Sequence, residues 1–406
     1  ANDFASGTSS RSSKLVHGGF RYLKNAQIRL TLESVRERER LIKEGRGLVN
    51  PLGILLANFA GDPIPGWVFG AGLIVYDLLA LKWGHRHYDA LDMHELCPVL
   101  NENGLTGGYR YFDAQTDDAR LVLRVLLEAV ADGATALNYA RVTGLLQTGS
   151  GQVCGVRLRD EDPQGNGRTT EIQAGVVVNA TGAWADELRS QVGGRPRLRK
   201  LRGSHLVFPA QRLPLTRSVS FLHPGDGRPV FALPWEGLAL FGTTDVDQEN
   251  SPEGLPTDPQ ISSAEAEYLL KAVQYAFPGQ ELGYQDIVST FSGVRPVIDT
   301  GKADPSKESR EHVLWNENGL LTVTGGKLTT FRLMAHDALQ KVQARLPGSP
   351  KFDPELRVLA EPSESIQMPG NLSPRARLRL VGRHGARLPA MVASAHPEEW
   401  GAIGGS

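Results

Sequence analysis

Val176-Val177-Val178-Asn179-Ala180-Thr181-Gly182 decides the fold. Its continuous β-branched run predicts a buried strand of a parallel sheet. The run ends in small residues, which leaves room for a ligand against backbone at the carboxyl end of such a sheet. Taken alone, the stretch is explained better by a plain strand-to-helix turn. A second strand is expected at residues 319–324, followed by a Gly325-Gly326 turn and a helix to about Leu346. The helix start offers free N–H groups and a partial positive charge. It is not a phosphate loop, because G-x-x-x-x-G-K needs Gly where Leu321 stands.

Working outward, residues 7–44 read as helix, with Glu33, Arg36, Glu37, Arg38, Glu39 and Arg40 on a solvated face without chemistry. Residues 66–82 read as apolar helix. Asp117 and Asp118 suit the cap of a helix running to about Ala131. Residues 135–140 read as a strand, and residues 153–158 and 170–173 as hairpin arms. Residues 200–250 are strand-rich, with turns at Pro224-Gly225 and around Gly237, and residues 263–277 are helical. Residues 350–360 form a Pro-rich linker, and a further helical stretch runs from Pro374 to about Ala395. The pattern predicts an α/β core carrying an inserted β-rich domain.

At the other end stands Phe4-Ala5-Ser6-Gly7-Thr8-Ser9-Ser10-Arg11-Ser12-Ser13-Lys14-Leu15-Val16-His17-Gly18-Gly19-Phe20-Arg21-Tyr22-Leu23. A run of hydroxyls opens what reads as a helix. Arg beside Tyr, reached through Gly-Gly, suits an anionic small molecule.

This run resembles the flavin-dependent, quinone-reducing glycerol-3-phosphate dehydrogenases. The resemblance continues through Asp117-Asp118-Ala119-Arg120-Leu121-Val122, Val178-Asn179-Ala180-Thr181-Gly182-Ala183-Trp184, Gly203-Ser204-His205, Gly242-Thr243-Thr244-Asp245, Phe291-Ser292-Gly293-Val294-Arg295-Pro296 and Gly325-Gly326-Lys327-Leu328-Thr329-Thr330. These blocks stand in the family's order from Ala1 to about residue 345. The resemblance implies a Rossmann-like FAD-binding fold of the glutathione-reductase and D-amino-acid-oxidase type. It also implies a discontinuous FAD domain at residues 1–50, 106–199 and 286–348, a cap segment at 51–105, a β-rich substrate domain at 200–285 and part of a helical C-terminal domain at 349–406. The family's opening strand, G-x-G-x-x-G turn and helix have no counterpart in the sequence, and the expectation is a chain truncated at both ends that binds FAD poorly.

The implied reaction is oxidation of sn-glycerol 3-phosphate to dihydroxyacetone phosphate, with hydride passing to FAD and electrons to quinone. By resemblance, Thr8, Ser9, Ser10, Ser12, Ser13, Lys14, Ala180, Thr181, Gly182, Gly325, Gly326, Leu328 and Thr329 contact the cofactor. Arg21, Tyr22 and Arg310 would bind the substrate phosphate, because Arg's planar fork grips phosphate oxygens. Arg295 and Lys327 would lie nearer the C2 oxygen. Removal of the C2 hydroxyl proton calls for a base with near-neutral pKa, for which His205 is preferred to His17. Arg295 stabilising an alkoxide is the alternative. Rival readings are an oxidase that delivers electrons to oxygen, an amine-oxidising flavoenzyme of the same superfold, and an inactive fragment.

The 406 residues carry a net charge of -1, which argues against a nucleic-acid partner. Cys97 and Cys154 form no disulfide framework, and the composition suits a reducing compartment. His85, His87, His94 and Cys97 lack zinc-site spacing, so no metal is expected. Residues 65–81 are the longest apolar stretch. A buried helix is the preferred reading there, and a segment resting on a bilayer, with Trp67, Tyr76, Lys82, Trp83, His85 and Arg86 at the interface, is the other. The family implies a cytoplasmic protein peripheral on the membrane's inner face, with a homodimer as a further option.

Overall fold

The computed structural model describes residues 2–20, 23, 27–249, 254–303, 308, 311–360, 366, 368 and 372–396. The first half runs β1 (Leu15–Val16), α1 (Ile28–Glu44), β2 (Val49–Phe59), α2 (Gly66–Ala80), β3 (Arg86–Tyr88), α3 (Ala90–Leu96), β4 (Leu105–Thr116), α4 (Asp118–Ala131), β5 (Ala140–Gln147), β6 (Val153–Asp160), β7 (Thr169–Gln173), β8 (Val177–Asn179) and α5 (Ala185–Ser190). The second half runs β9 (Leu198–Pro209), β10 (Ser218–Leu222), β11 (Pro229–Trp235), β12 (Leu238–Gly242), β13 (Val246–Asp247), α6 (Ser263–Ala276), β14 (Ser289–Ile298), β15 (His312–Glu317), β16 (Leu320–Gly325), α7 (Phe331–Val342), α8 (Pro374–His384) and α9 (Leu388–Ser394).

The large sheet is ordered β1-β4-β2-β10-β11-β12-β9-β13, with β14 also on β9 and β3 on β4. Its strands come mostly from residues 198–298, but β2 and β4 join it from residues 49–116 through a parallel β2–β10 pairing. Alternation along β2 shows why both faces are covered. Leu55, Ala57 and Phe59 point into a core with Phe208, Phe221, Phe241 and the α6 residues Leu269 and Val273. Ile54 and Leu56 point the other way, onto Val35 of α1 and Leu73 and Tyr76 of α2. Each fully buried large apolar side chain contributes about 2 kcal/mol.

A second sheet holds β15-β16-β8, with β16 and β8 parallel and Leu321 opposite Val178. The expected strand at 176–180 is therefore present, but it is not fully buried. Among the described residues β8 pairs on one side only, and Val178 is 43% exposed. The hairpin arms appear as β6 and β7, in a third sheet with β5.

Four expectations need correction. Helix does not run from residue 7. Thr8–Ser10 is a single 3-10 turn, Lys14 takes φ +60°, and Leu15–Val16 is captured by β4 before α1 begins at Ile28. Hydroxyl side chains that bond elsewhere compete with helix, which is the physical reason. Residues 135–139 are not strand, because Tyr139 at φ +51° breaks the extended path just before β5. The charged stretch of α1 is not wholly solvated: Glu37 and Arg38 are buried, the first paired with Arg332 and the second with Asp113. Finally, α2 buries one face only. Trp67, Ile74, Val75 and Leu78 on its other face are exposed, as are Leu81 and Trp83 just beyond it.

Candidate functional site

The 8–19 segment is anchored by its own side chains. Thr8 Oγ1 donates to the Val294 carbonyl at 2.5 Å. The Ser12 N–H and hydroxyl both donate to Asp118 Oδ2, at 3.0 and 2.7 Å. Lys14 Nζ donates to Asp118 Oδ1 at 2.7 Å and to the Ser10 carbonyl at 2.6 Å. Asp118, the first residue of α4, has no solvent exposure, so Ser12 and Lys14 turn inward onto that helix start. Ser9 is exposed and Ser10 half-buried.

Ser13 leads to the centre of the site. Its Oγ lies 2.8 Å from Nε2 of His205 on β9. The His205 ring stacks on Phe291 of β14 with centroids 4.6 Å apart. Its Nδ1 is buried and has no hydrogen-bond partner among the described residues. Burial, and then the cations Arg295 and Lys14, push this imidazole well below its usual pKa. It is therefore neutral at neutral pH.

Arg295, four residues beyond Phe291, donates through Nη1 to Asp245 Oδ1 at 2.8 Å and through Nη2 to Thr243 Oγ1 at 3.0 Å. Behind it lies Glu265, a buried carboxylate that the sequence reading did not single out. Glu265 Oε1 accepts from Ser204 Oγ at 2.8 Å and Thr244 Oγ1 at 2.7 Å, and its other oxygen pairs with Arg202. Burial pushes its carboxyl up, but hydrogen bonds from Arg202, Thr244, the Ser262 backbone and Ser204 outweigh that and hold it at about 2. Glu265 also completes the capping box of α6 with Ser262. The Ser-x-x-Glu spacing was the available signal for the cap, and nothing in it announces the second role.

The turn after β16 closes the arrangement. Gly325 and Gly326 take φ of +76° and +71°, and a Cβ on them would sit 2.7 Å from the Glu311 carbonyl oxygen and 2.5 Å from Met334 Sδ. The 3-10 turn Leu328–Thr330 follows, with Thr329 Oγ1 donating to the His17 carbonyl at 3.3 Å. Leu328 packs against the apolar cluster of Val16, Leu41 and Leu121. Lys327 Nζ donates to Ser34 Oγ on α1. Gly182, at φ +59°, accepts from Thr324 Oγ1 through its carbonyl, while Ala180 and Thr181 are exposed beside it. Trp184 packs with Val294, which ties this turn to the Thr8 segment.

Ser13, His17, His205, Arg295 and the 325–329 turn are thus joined by direct contacts or shared neighbours. Arg21, Tyr22 and Arg310 lie outside the described residues. Of the residues once weighed for metal, His85 bonds Asp77 and His94 pairs with Glu102. Among the described residues no group of three or more His, Cys, Asp or Glu side chains is placed to hold a metal ion.

Residues 1–332 match the model of the FAD dependent oxidoreductase family. The chain belongs to that family. It is 38% identical over 350 residues to the aerobic glycerol-3-phosphate dehydrogenase of Staphylococcus haemolyticus, covering 85% of this chain and 62% of that protein. Its identity to the Bacillus subtilis enzyme of the same name is 38% over 360 residues, covering 87% and 63%. The solved glycerol-3-phosphate dehydrogenase of Bacillus halodurans, complexed with FAD, superposes with a TM-score of 0.67 at 32% identity, covering 84% of this chain and 58% of that one. The chain therefore spans less than two thirds of these relatives' length. The family match agrees with the α/β, FAD-binding class expected from the sequence.

Proposed function

We propose that this chain forms the substrate side of a glycerol-3-phosphate dehydrogenase that uses FAD. The observation that carries the reading is the meeting of a buried neutral histidine, His205, with the cation of Arg295. The residues fit the ring end of a flavin. His205 presents a buried nitrogen with no partner among the described residues, and the two positive-φ glycines keep side chains off the backbone before a short helical turn. Gly325, Gly326, Leu328 and Thr329 would line the ring, with Ala180, Thr181, Gly182 and the 8–14 segment toward the rest of the cofactor. The sequence has no G-x-G-x-x-G turn of its own for a diphosphate. When bound, the flavin supplies a two-electron acceptor for hydride.

In this reading His205 accepts the C2 hydroxyl proton, as a neutral imidazole must to act as a base. His17 is the second choice. Arg295 and Lys327 face the oxygen on C2, and Arg21, Tyr22 and Arg310 take the phosphate. Quinone is the electron acceptor, and the exposed α2 face with Trp67 and Trp83 rests on the membrane, flanked by Lys82 and Arg86. No helix among the described residues is long and apolar enough to cross a membrane.

The test is an absorbance spectrum of the chain after loading with FAD, followed by anaerobic glycerol 3-phosphate. Bleaching of the flavin band supports the reading. A loaded flavin that stays oxidised would remove the substrate assignment, and a chain that takes up no flavin would remove the cofactor assignment. Peroxide production in air would replace quinone by oxygen.

A further inference from the structure

Arg295 is the exposed partner of a buried carboxylate. Its side chain is 28% exposed, whereas that of Asp245 is 2% exposed. Asp245 Oδ1 takes Arg295 Nη1 at 2.8 Å, and its Oδ2 faces Arg228 at 3.3 Å. Two more acceptors belong to the seat: the Thr244 carbonyl at 3.3 Å from Nη1 and Thr243 Oγ1 at 3.0 Å from Nη2. The underside is Gly203, where a Cβ would fall 2.0 Å from Nη2. The loop that carries these acceptors is itself held, because Thr244 Oγ1 bonds both Glu265 and the Ser204 N–H.

We infer that Asp245 is a positioning residue that seats the Arg295 guanidinium over Gly203, so that an incoming oxyanion meets the cation and not the carboxylate. The inference rests on the role proposed above for Arg295. Exposure favours it: the Asp245 side chain is 2% exposed while the guanidinium groups on either side of it, Arg228 and Arg295, are 27% and 28% exposed, so an incoming anion reaches cation before carboxylate. The Gly203-Ser204-His205, Gly242-Thr243-Thr244-Asp245 and Phe291-Ser292-Gly293-Val294-Arg295 blocks thereby acquire one shared task. A side chain at 203 would take the space of the guanidinium, and Asp245 holds the guanidinium in that space.

The experiment places D245N in the FAD-loaded chain, alone and in an R295A background, with G203A as a second route to the same displacement. Crystal structures of D245N and G203A locate the guanidinium, and steady-state assays with glycerol 3-phosphate and a dye acceptor give kcat and KM. D245N is expected to lower kcat/KM by about 100-fold, the usual consequence of misplacing a group by an ångström. In the R295A background it should add less than about twofold, because both changes act through one group. The guanidinium should be displaced in both crystals. Losses that multiply in the double variant, or a guanidinium that keeps its seat in D245N, would overturn the inference. If the unmodified chain does not oxidise glycerol 3-phosphate, the functional reading fails instead. The two crystal structures then decide the positioning role alone, with displacement supporting it and an unmoved guanidinium ending it.

Discussion

A single carboxylate oxygen, Asp113 Oδ1, accepts three donors: the Gly18 N–H at 2.8 Å, Tyr76 OH at 2.7 Å and Arg38 Nη1 at 2.9 Å. This fixes the backbone just after His17. It also explains Gly18, because a Cβ there would lie 2.0 Å from the Tyr76 oxygen. Gly18→Ala should therefore destabilise the fold by about 2 kcal/mol, read as a lower midpoint in thermal or urea unfolding. Glu265 sets a pH dependence. Its folded-state pKa, about 2, lies below the ordinary 4.5, so its contribution is present above pH 4.5 and is lost as pH falls toward 2. The shift corresponds to about 3 kcal/mol. Glu265→Gln should lower stability at pH 7 and flatten the loss of stability between pH 4.5 and 2, followed by chemical denaturation at each pH. Neither residue's role was legible beforehand. Gly18 reads as part of the Gly-Gly leading to Arg21 and Tyr22, and Glu265 does not stand out, until the distant partners Tyr76, Ser204 and Thr244 are known.

At the scale of elements, the local signals succeed where a segment's own residues settle its state. The valines of β8, the Asp117 cap of α4 and the Gly-Gly turn after β16 stand where the sequence places them. They fail where tertiary pairing decides. Residues 12–16 fall in the expected helix but are claimed by β4 and Asp118, and the charges of α1 look solvated until Arg332 and Asp113 are packed against them. The helix expected from Pro374 is present as α8, and only its seating lies beyond the local signals. It approaches so closely that a Cβ on Gly382 would fall 2.5 Å from the Gly47 carbonyl carbon, and buried Arg124 of α4 donates to the Gly382 and Ala360 carbonyls at 2.8 and 2.9 Å. Arg124→Ala would leave those two carbonyls without this donor, at a cost of about 2 kcal/mol. Limited proteolysis should then cut between residues 346 and 396 sooner, while the preceding region stays intact.

For the molecule as a whole, the exposed apolar face of α2 is the surface feature that most needs an explanation. Trp67 is 73% exposed, Leu78 62%, Leu81 93% and Trp83 68%. In the reading proposed above this face rests on a bilayer, and Lys82 and Arg86 beside it would favour anionic headgroups. A chain with Trp67→Ser, Leu81→Ser and Trp83→Ser should lose at least about a hundredfold in affinity for anionic phospholipid vesicles by co-sedimentation, since each replacement removes more than about 1 kcal/mol of apolar burial. Its melting temperature should be unchanged, because these side chains are already in water. The apolar composition of the segment was plain from the sequence. Which half of it the fold covers depends on Tyr76 and Leu73 finding Val35 and Ile54, and periodicity alone does not supply those partners.

The parallel pairing of β2 with β10 carries a consequence for synthesis. Ile54, Leu55 and Leu56 lie opposite residues 218–220, so one edge of β2 has no strand to meet until roughly 160 more residues have been made. At ribosomal speeds of about 5–20 residues per second, that interval is on the order of ten to thirty seconds. During it, a Leu- and Ile-rich edge stands open on the nascent chain, available to another ribosome's product. Yield in a cell should therefore depend on translation rate and chaperone supply while residues 60–220 are being made more than on the stability of the finished fold.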